Sequence, residues 1–483
     1  MPRLQLLDLP TEILLSILEW VETKTLYQLA FLSRRLNSIA LRVCFRRHEL
    51  DPDSNSVELT LGTRDALSAL QISFFIQSLD HIHCCIPHYA FQTSIAPFLR
   101  HIKRLETFIS RLTFVRRVTL HLASHEGNWR IKLKTVDELC AWSSHVGDLL
   151  NCIIKRGCQW LTIVDGSEFE PIHPGLMDRI RHIIPLHSKR IPVMPRFPSG
   201  QSQITTLVVN SASFLVSPGI NWILAALGQV TSLGLSMASG SPRTWSKVLP
   251  RMAAAAPHLT VLNLSNVPDS MVTTILSILD RFSHLTRLHI HSQRRLIPIS
   301  TLQHAPHLPS PSLRRIETLT AVSELVEHFL SPINPLPNLH ALRVGWRVHT
   351  DLRLPALLGF LARITPKLNA HPRTPYLNLD IDLCALSTDV DLSLHIPPAL
   401  VGRQDIAAGR ARVMGLTLHL NVTEDADFIY AEGMTQLVAL FPQTVLLSLH
   451  TGGVTPSESA TARLVEALEQ TKVTDIVLNG ERL

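Results

Sequence analysis

The alternation of apolar and polar positions changes character along the 483 residues. Near the start, Ile13, Leu14, Ile17, Leu18 and Val21 fall at helical spacing and make one continuous apolar stripe. Pro10 suits a first helical turn, where a missing N–H costs nothing, and Glu12 sits where the helix dipole favours an anion. Thr23 is expected to cap a second helix carrying Leu26, Leu29 and Leu32. Ser33 is expected to cap a third, carrying Leu36, Ile39, Ala40 and Val43. Helices this short bury too little to fold alone, so they need a partner surface or the rest of the chain.

Further along, the period switches. With Φ an apolar residue, the template Φ-x-x-Φ-x-Φ recurs from Ile204, Val230, Leu259, Leu285 and Leu339, with a shorter match from Leu313. The starts are 26, 29, 26, 28 and 26 residues apart. Weaker units follow around Leu377, Val413, Leu447 and Val473, and earlier ones lie at Val115 and Leu161. Helical stripes fall between them, among them Ile220–Leu227, Met271–Phe282, Val322–Leu330 and Ala460–Leu468. Each unit can bury its apolar residues only by stacking on its neighbours. Proline-rich stretches at 184–200, 297–311, 365–375 and 396–402 read as loops. The expected organisation is a helical module at 1–50, a helical connector at 51–110 and a repeat array at 111–483, most regular over 204–345.

Two resemblances follow from these residues. Leu9-Pro10-x-Glu12-Ile13-Leu14, Ile17-Leu18, Leu26-x-x-Leu29, Ser33-Arg34-x-Leu36 and Ile39-Ala40 resemble an F-box in order and spacing. That resemblance implies docking onto the Skp-type adaptor and cullin of an SCF ubiquitin ligase. Its adaptor contacts would be Leu9, Pro10, Ile13, Leu14, Ile17, Leu18 and Leu29. The array resembles leucine-rich repeats of the longer strand–helix type, without their usual Asn after the strand, so an irregular solenoid is expected. The fold class is therefore α/β: a three-helix F-box, then parallel strands inside and helices outside. The implied role is that of a substrate-recognition subunit, with a repeat scaffold lacking any degradative role as the alternative.

Composition narrows the partners. Charged residues are 17% and the net charge is +6, too mild an excess to indicate a nucleic-acid partner. No long uncharged apolar stretch suggests a membrane span, and Met1-Pro2-Arg3-Leu4 lacks the pattern of a signal peptide, so a cytosolic or nuclear chain is expected. Seven cysteines fit reduced thiols.

Residues between the template positions should face the open side of the strands. There Arg287, His289, His291, Arg315 and Arg343, with Trp346 beyond its strand, form a basic zone suited to an acidic or phosphorylated segment of a target protein. His81-Ile82-His83-Cys84-Cys85 raises the question of metal. No second ligand pair stands at suitable spacing, so buried thiols and surface histidines are expected. Cys140, Cys152 and Cys158 read as core fillers, and Asp380-x-Asp382 and Asp389-x-Asp391 as polar strand faces. No catalytic signature, metal site or cofactor is indicated, and the chain is expected to be no enzyme itself.

Overall fold

The structure is a computed structural model. It describes residues 8–51, 53–59, 64–86, 94–122, 132–133, 135–164, 168–169, 193–195, 202–292, 313–331, 336–347, 354–383, 400, 402–420, 435–451, 457–469 and 471–483. Two units divide at residue 258.

The first unit opens with three helices, α1 (Thr11–Leu18), α2 (Thr23–Ala30) and α3 (Arg34–Arg47). Ser33 caps α3 as expected, its hydroxyl accepting from Leu36 N at 3.1 Å. Thr23 does not cap α2. It is the first helical residue, and Glu22 precedes it without a side-chain cap. Arg47 compensates by donating to the Glu19 and Val21 carbonyls at 2.8 and 2.7 Å, closing the α1–α2 corner.

One buried amide fastens the module to the end of helix Arg64–Ile72. Asn37 Nδ2 donates to the carbonyls of Ala30 and Ile72, and Asn37 Oδ1 accepts from Phe74 N. A buried amide that satisfies its bonds across two segments fixes their spacing, because a shift would orphan all of them. Phe45 packs edge-on against Phe75, and Arg42 lies over the same ring while binding Asp53 through both nitrogens.

Strands β1 (Ser56–Leu59), β2 (Ser78–Cys85), β3 (Phe114–His121), β4 (Trp160–Val164), β5 (Thr206–Asn210) and β6 (Ser232–Ser236) then pair in parallel, in sequence order. The segment expected as a helical connector thus holds β1 and β2 as well as helix Arg64–Ile72. β1 escapes the template because Val57-x-Leu59 has no leading Φ, and β2, Leu79-x-x-Ile82-x-Cys84, fits it with a cysteine at the last apolar position.

The second unit repeats the plan. Strands β7 (Val261–Val267), β8 (Arg287–Ser292), β9 (Thr318–Val322), β10 (Ala341–Arg347), β11 (Tyr376–Asp382), β12 (Val413–His419), β13 (Leu446–His450) and β14 (Asp475–Leu478) are parallel neighbours in order. A short antiparallel β15 (Glu481–Arg482) ends the sheet. Parallel strands need a crossover, and helices such as Ser323–Phe329, Leu354–Asn369 and Gln404–Ala411 supply it. The 365–375 stretch is loop only in its second half. Pro366 lies inside helix Leu354–Asn369. The stretches 184–200 and 297–311, apart from 193–195, and Asp389 and Asp391 lie outside the described residues.

Each strand presents alternate residues to the helices. Leu207, Leu233, Leu288, Leu342, Leu379 and Leu447 are at most 1% exposed. Burying such a side chain contributes about 1.5–3 kcal/mol. The helix-side positions therefore carry the fold, and the opposite positions are left for chemistry. The result is an α/β solenoid plan behind a three-helix module. Among the described residues no helix is long and apolar enough to cross a membrane.

Candidate functional site

Two surfaces stand out. The first lies on the N-terminal helices. Leu14 and Leu18 are 0% and 2% exposed and hold α1 onto the module. Both turn inward, away from the open edge of the stripe. Pro10 is exposed, and Leu9 and Leu29 are half-buried. The other edge of the same stripe is open: Ile13 is 48% exposed, Ile17 44% and Trp20 91%. These residues stand at i, i+4 and i+7, and the turn continues to Trp20 through its N–H bond to Ile17 O. Phe31 and Leu32, in the α2–α3 turn, are 67% and 71% exposed. Large exposed apolar groups of this density mark a binding surface. Leu32, expected on the second helix, lies beyond its end at Ala30, and Trp20 stands at the next helical step after Ile13 and Ile17. Arg35 fixes the start of the surface, its Nη2 donating to Leu9 O at 2.6 Å.

The second surface is the helix-free face of the strands in the second unit. Arg287 is exposed there, in register with Val261 and Thr318. His289, one step on, meets Thr320 Oγ1 at 2.8 Å through Nδ1. Burial, with the charges of His291, Arg343 and Arg287, pushes the His289 imidazole down to about 4, so it is neutral. Arg343 is not a free cation. Its Nη2 donates to Thr417 Oγ1 at 2.8 Å, and its Nε lies 3.6 Å from Asp380 Oδ2. Asp380 also receives His419 Nε2 at 2.8 Å. Burial works to raise the Asp380 carboxyl, but the His419 bond and the charges of His419, Arg343 and His291 hold it below the usual carboxylate range. The bond to Asp380 in turn raises His419. His450 stacks on His419 with centroids 4.9 Å apart, and burial and that neighbour lower it. The zone expected to be basic is thus a mixed network with Asp380 at its centre.

Two residues of that expectation are placed elsewhere. Arg315 belongs to a short 3-10 turn before β9 and donates to Ser283 O at 2.8 Å. The template match from Leu313 therefore precedes its strand. Trp346 lies inside β10, in phase with Leu342 and Val344, and faces the helix side at 6.2 Å from the Phe360 ring. It cannot anchor a ligand held by Arg343.

In the first unit, the cysteines also sort differently from expectation. Cys158 is buried, and burial pushes its thiol up to about 12, whereas Cys140 and Cys152 are only half-buried.

Comparison with known proteins bears on the first surface. The family described as F-box domain matches residues 6–48. No curated protein matches the chain. Among solved structures, the chain is similar to a chain in the crystal structure of the Rad7 and Elc1 complex in yeast, at 11% identity and a TM-score of 0.35, over 95% of each chain. Residues 6–48 are an F-box domain, and a repeat region of parallel strands and helices follows it.

Proposed function

We propose that this chain is the substrate-recognition subunit of an SCF-type ubiquitin ligase, binding a Skp-type adaptor, and through it a cullin, by its F-box. The observation that carries the reading is the F-box match over residues 6–48 together with the open apolar edge of Ile13, Ile17 and Trp20. A target protein would bind the strand face around Arg287, His289, His291 and Arg343. The subunit makes no bonds itself. It holds a target lysine near the charged conjugating enzyme, which converts an encounter in solution into a tethered one.

Co-purification tests it. The tagged full chain should recover adaptor and cullin from cells, and Ile13→Asp/Ile17→Asp should recover neither. Both residues are exposed, so the variant should keep its circular dichroism and melting temperature. Wild-type chain that recovers no adaptor ends the proposal. Recovery of adaptor and cullin with no protein accumulating in cells carrying the variant favours a scaffold without a degradative role.

A further inference from the structure

The helix-free face of the first unit carries a cluster that F-box docking does not use. Glu58 on β1, His83 and Cys85 on β2 and His121 on β3 alternate with the buried Val57, Leu59, Ile82, Cys84 and Leu120, so all of them face away from the helices. The parallel register sets Glu58 opposite His83 and Cys85 opposite His121. The donor atoms of His83, Cys85 and His121 all lie within 4.8 Å of one another. Cys85 Sγ is 3.6 Å from His83 Nε2, and the two imidazole centroids are 4.9 Å apart.

A second observation concerns the other nitrogen of His83. Its Nδ1 lies 3.3 Å from Glu58 Oε1. A neutral imidazole carries one N–H and one bare lone pair. With a carboxylate at Nδ1 the proton is held there, and the lone pair of Nε2 is turned toward Cys85. This is the outer arrangement by which a carboxylate orients a metal-binding histidine.

The donors choose the metal. Two imidazoles and one thiolate are borderline-soft ligands that suit zinc and suit calcium or magnesium poorly. Zinc bonds of about 2.0–2.3 Å at tetrahedral angles place ligand atoms roughly 3.3–3.8 Å apart. The Cys85–His83 separation already falls in that range. The wider spacing in the trio closes by rotating side chains that are only half-buried. The thiol proton between Cys85 Sγ and His83 Nε2 is the one a metal ion would replace.

We propose that His83 Nε2, Cys85 Sγ and the imidazole of His121 form a zinc site across β2 and β3, with Glu58 positioning His83 and the fourth place open to water or to a donor from a bound protein. On binding, the Cys85 S–H bond breaks, its proton passes to solvent and a Zn–S bond forms, with no change of oxidation state.

The test uses the full chain stripped by a chelator, then titrated with zinc against a chromophoric competitor and separately loaded with Co(II). The expected result is about one zinc per chain, and a thiolate-to-cobalt charge-transfer band in the near ultraviolet. Cys85→Ser should abolish the band, and Glu58→Gln should keep the band while weakening zinc by about 10–100-fold. Cys152→Ser should change neither. Circular dichroism identifies a variant that fails to fold, and Cys85→Ser, half-buried and near-isosteric, carries the test if His121→Ala does fail. Absence of zinc binding, or a cobalt band and zinc affinity that survive Cys85→Ser, overturns the site. Wild-type affinity in Glu58→Gln removes Glu58 from the assignment.

Discussion

The strand faces of the two units share one backbone plan and carry different chemistry. In the first unit two pairs of the Glu58, His83, Cys85 and His121 cluster stand straight across the ladder: Glu58 is opposite His83 and Cys85 is opposite His121, each pair in register. In the second the contacts around Asp380 run diagonally, while His289 meets Thr320 and His419 stacks on His450 directly in register. Asp380 is in register with Gly345 and Thr417, yet it bonds Arg343 from one row and His419 from another. Directly opposite side chains lie closest across a ladder. Long or flexible ones reach the diagonal neighbour, and there one carboxylate can neutralise two cations. The first face therefore gathers a thiol and two imidazoles beside one carboxylate, whereas the second sets Arg343 and His419 around Asp380. On both faces the register decides which groups meet, and the helix-side residues decide the register.

The sharpest way to break this view is to attack the helix side in each unit. Leu207→Ala on β5 and Leu379→Ala on β11 each remove a fully buried side chain and should cost about 2–5 kcal/mol in denaturant unfolding. Open-face changes, Thr206→Ala next to Leu207 and Arg287→Ala on β8, should stay within about 0.5 kcal/mol. Equal costs on the two sides would mean that the faces do not divide stability and chemistry as described.

A smaller effect separates the units at their open-face glycines. Gly415 sits under the Asn378 side chain, where an added Cβ would lie 2.7 Å from Asn378 Cγ. Gly415→Ala should destabilise by about 1–3 kcal/mol, and adding Asn378→Ala should recover most of it. In the first unit, Gly234 faces Val208 with the same Cβ at 3.2 Å from a methyl. Gly234→Ala should cost less, because a methyl gives way more easily than a wedged amide. Similar melting temperatures for the two alanine variants would remove the distinction.

These cases also show what was legible in the sequence. The constant interval of Leu and Ile marked β5 through β8 and β10 because helix-side positions are repetitive and apolar. β1 was missed because a four-residue strand carries only Val57 and Leu59, and β2 because the last apolar position of Leu79-x-x-Ile82-x-Cys84 is a cysteine. The F-box stripe was read, but not which edge of it is open. Leu14 and Ile13 are adjacent in sequence and opposite in fate, and only the seating of α1 against α3 decides between them. His83 and Cys85 raised the question of metal in the sequence, but His121 could not be joined to them. His121 comes from the next strand, and metal-ligand spacing along one segment says nothing about register. Trp346 failed by phase: its strand continues one step further than the template, which turns the ring to the helix side.

The finest test concerns the charge pairing that distinguishes the second face. His419 is raised by its bond to Asp380, so its contribution is fully present below its ordinary value, about 6.5, and fades as pH climbs through the higher folded value. Asp380 is lowered, so its contribution is present above about 3.9 and is lost as pH falls through the lower folded value. The pair therefore helps most between roughly pH 4 and 6.5. His289 acts oppositely: held neutral down to about 4, it favours the fold above its ordinary value and costs stability progressively as pH falls toward 4. Asp380→Asn should return the His419 midpoint, read from imidazole C–H signals by NMR, to its ordinary value or below. The stability change should stay under about 1 kcal/mol, because the His419 side chain is 38% exposed and water screens the pair. The His289 midpoint should remain low, since burial is its first cause and His291, Arg343 and Arg287 still face it. An unmoved His419 midpoint would show that Asp380 is not its partner, and the diagonal network of the second face would lose its centre.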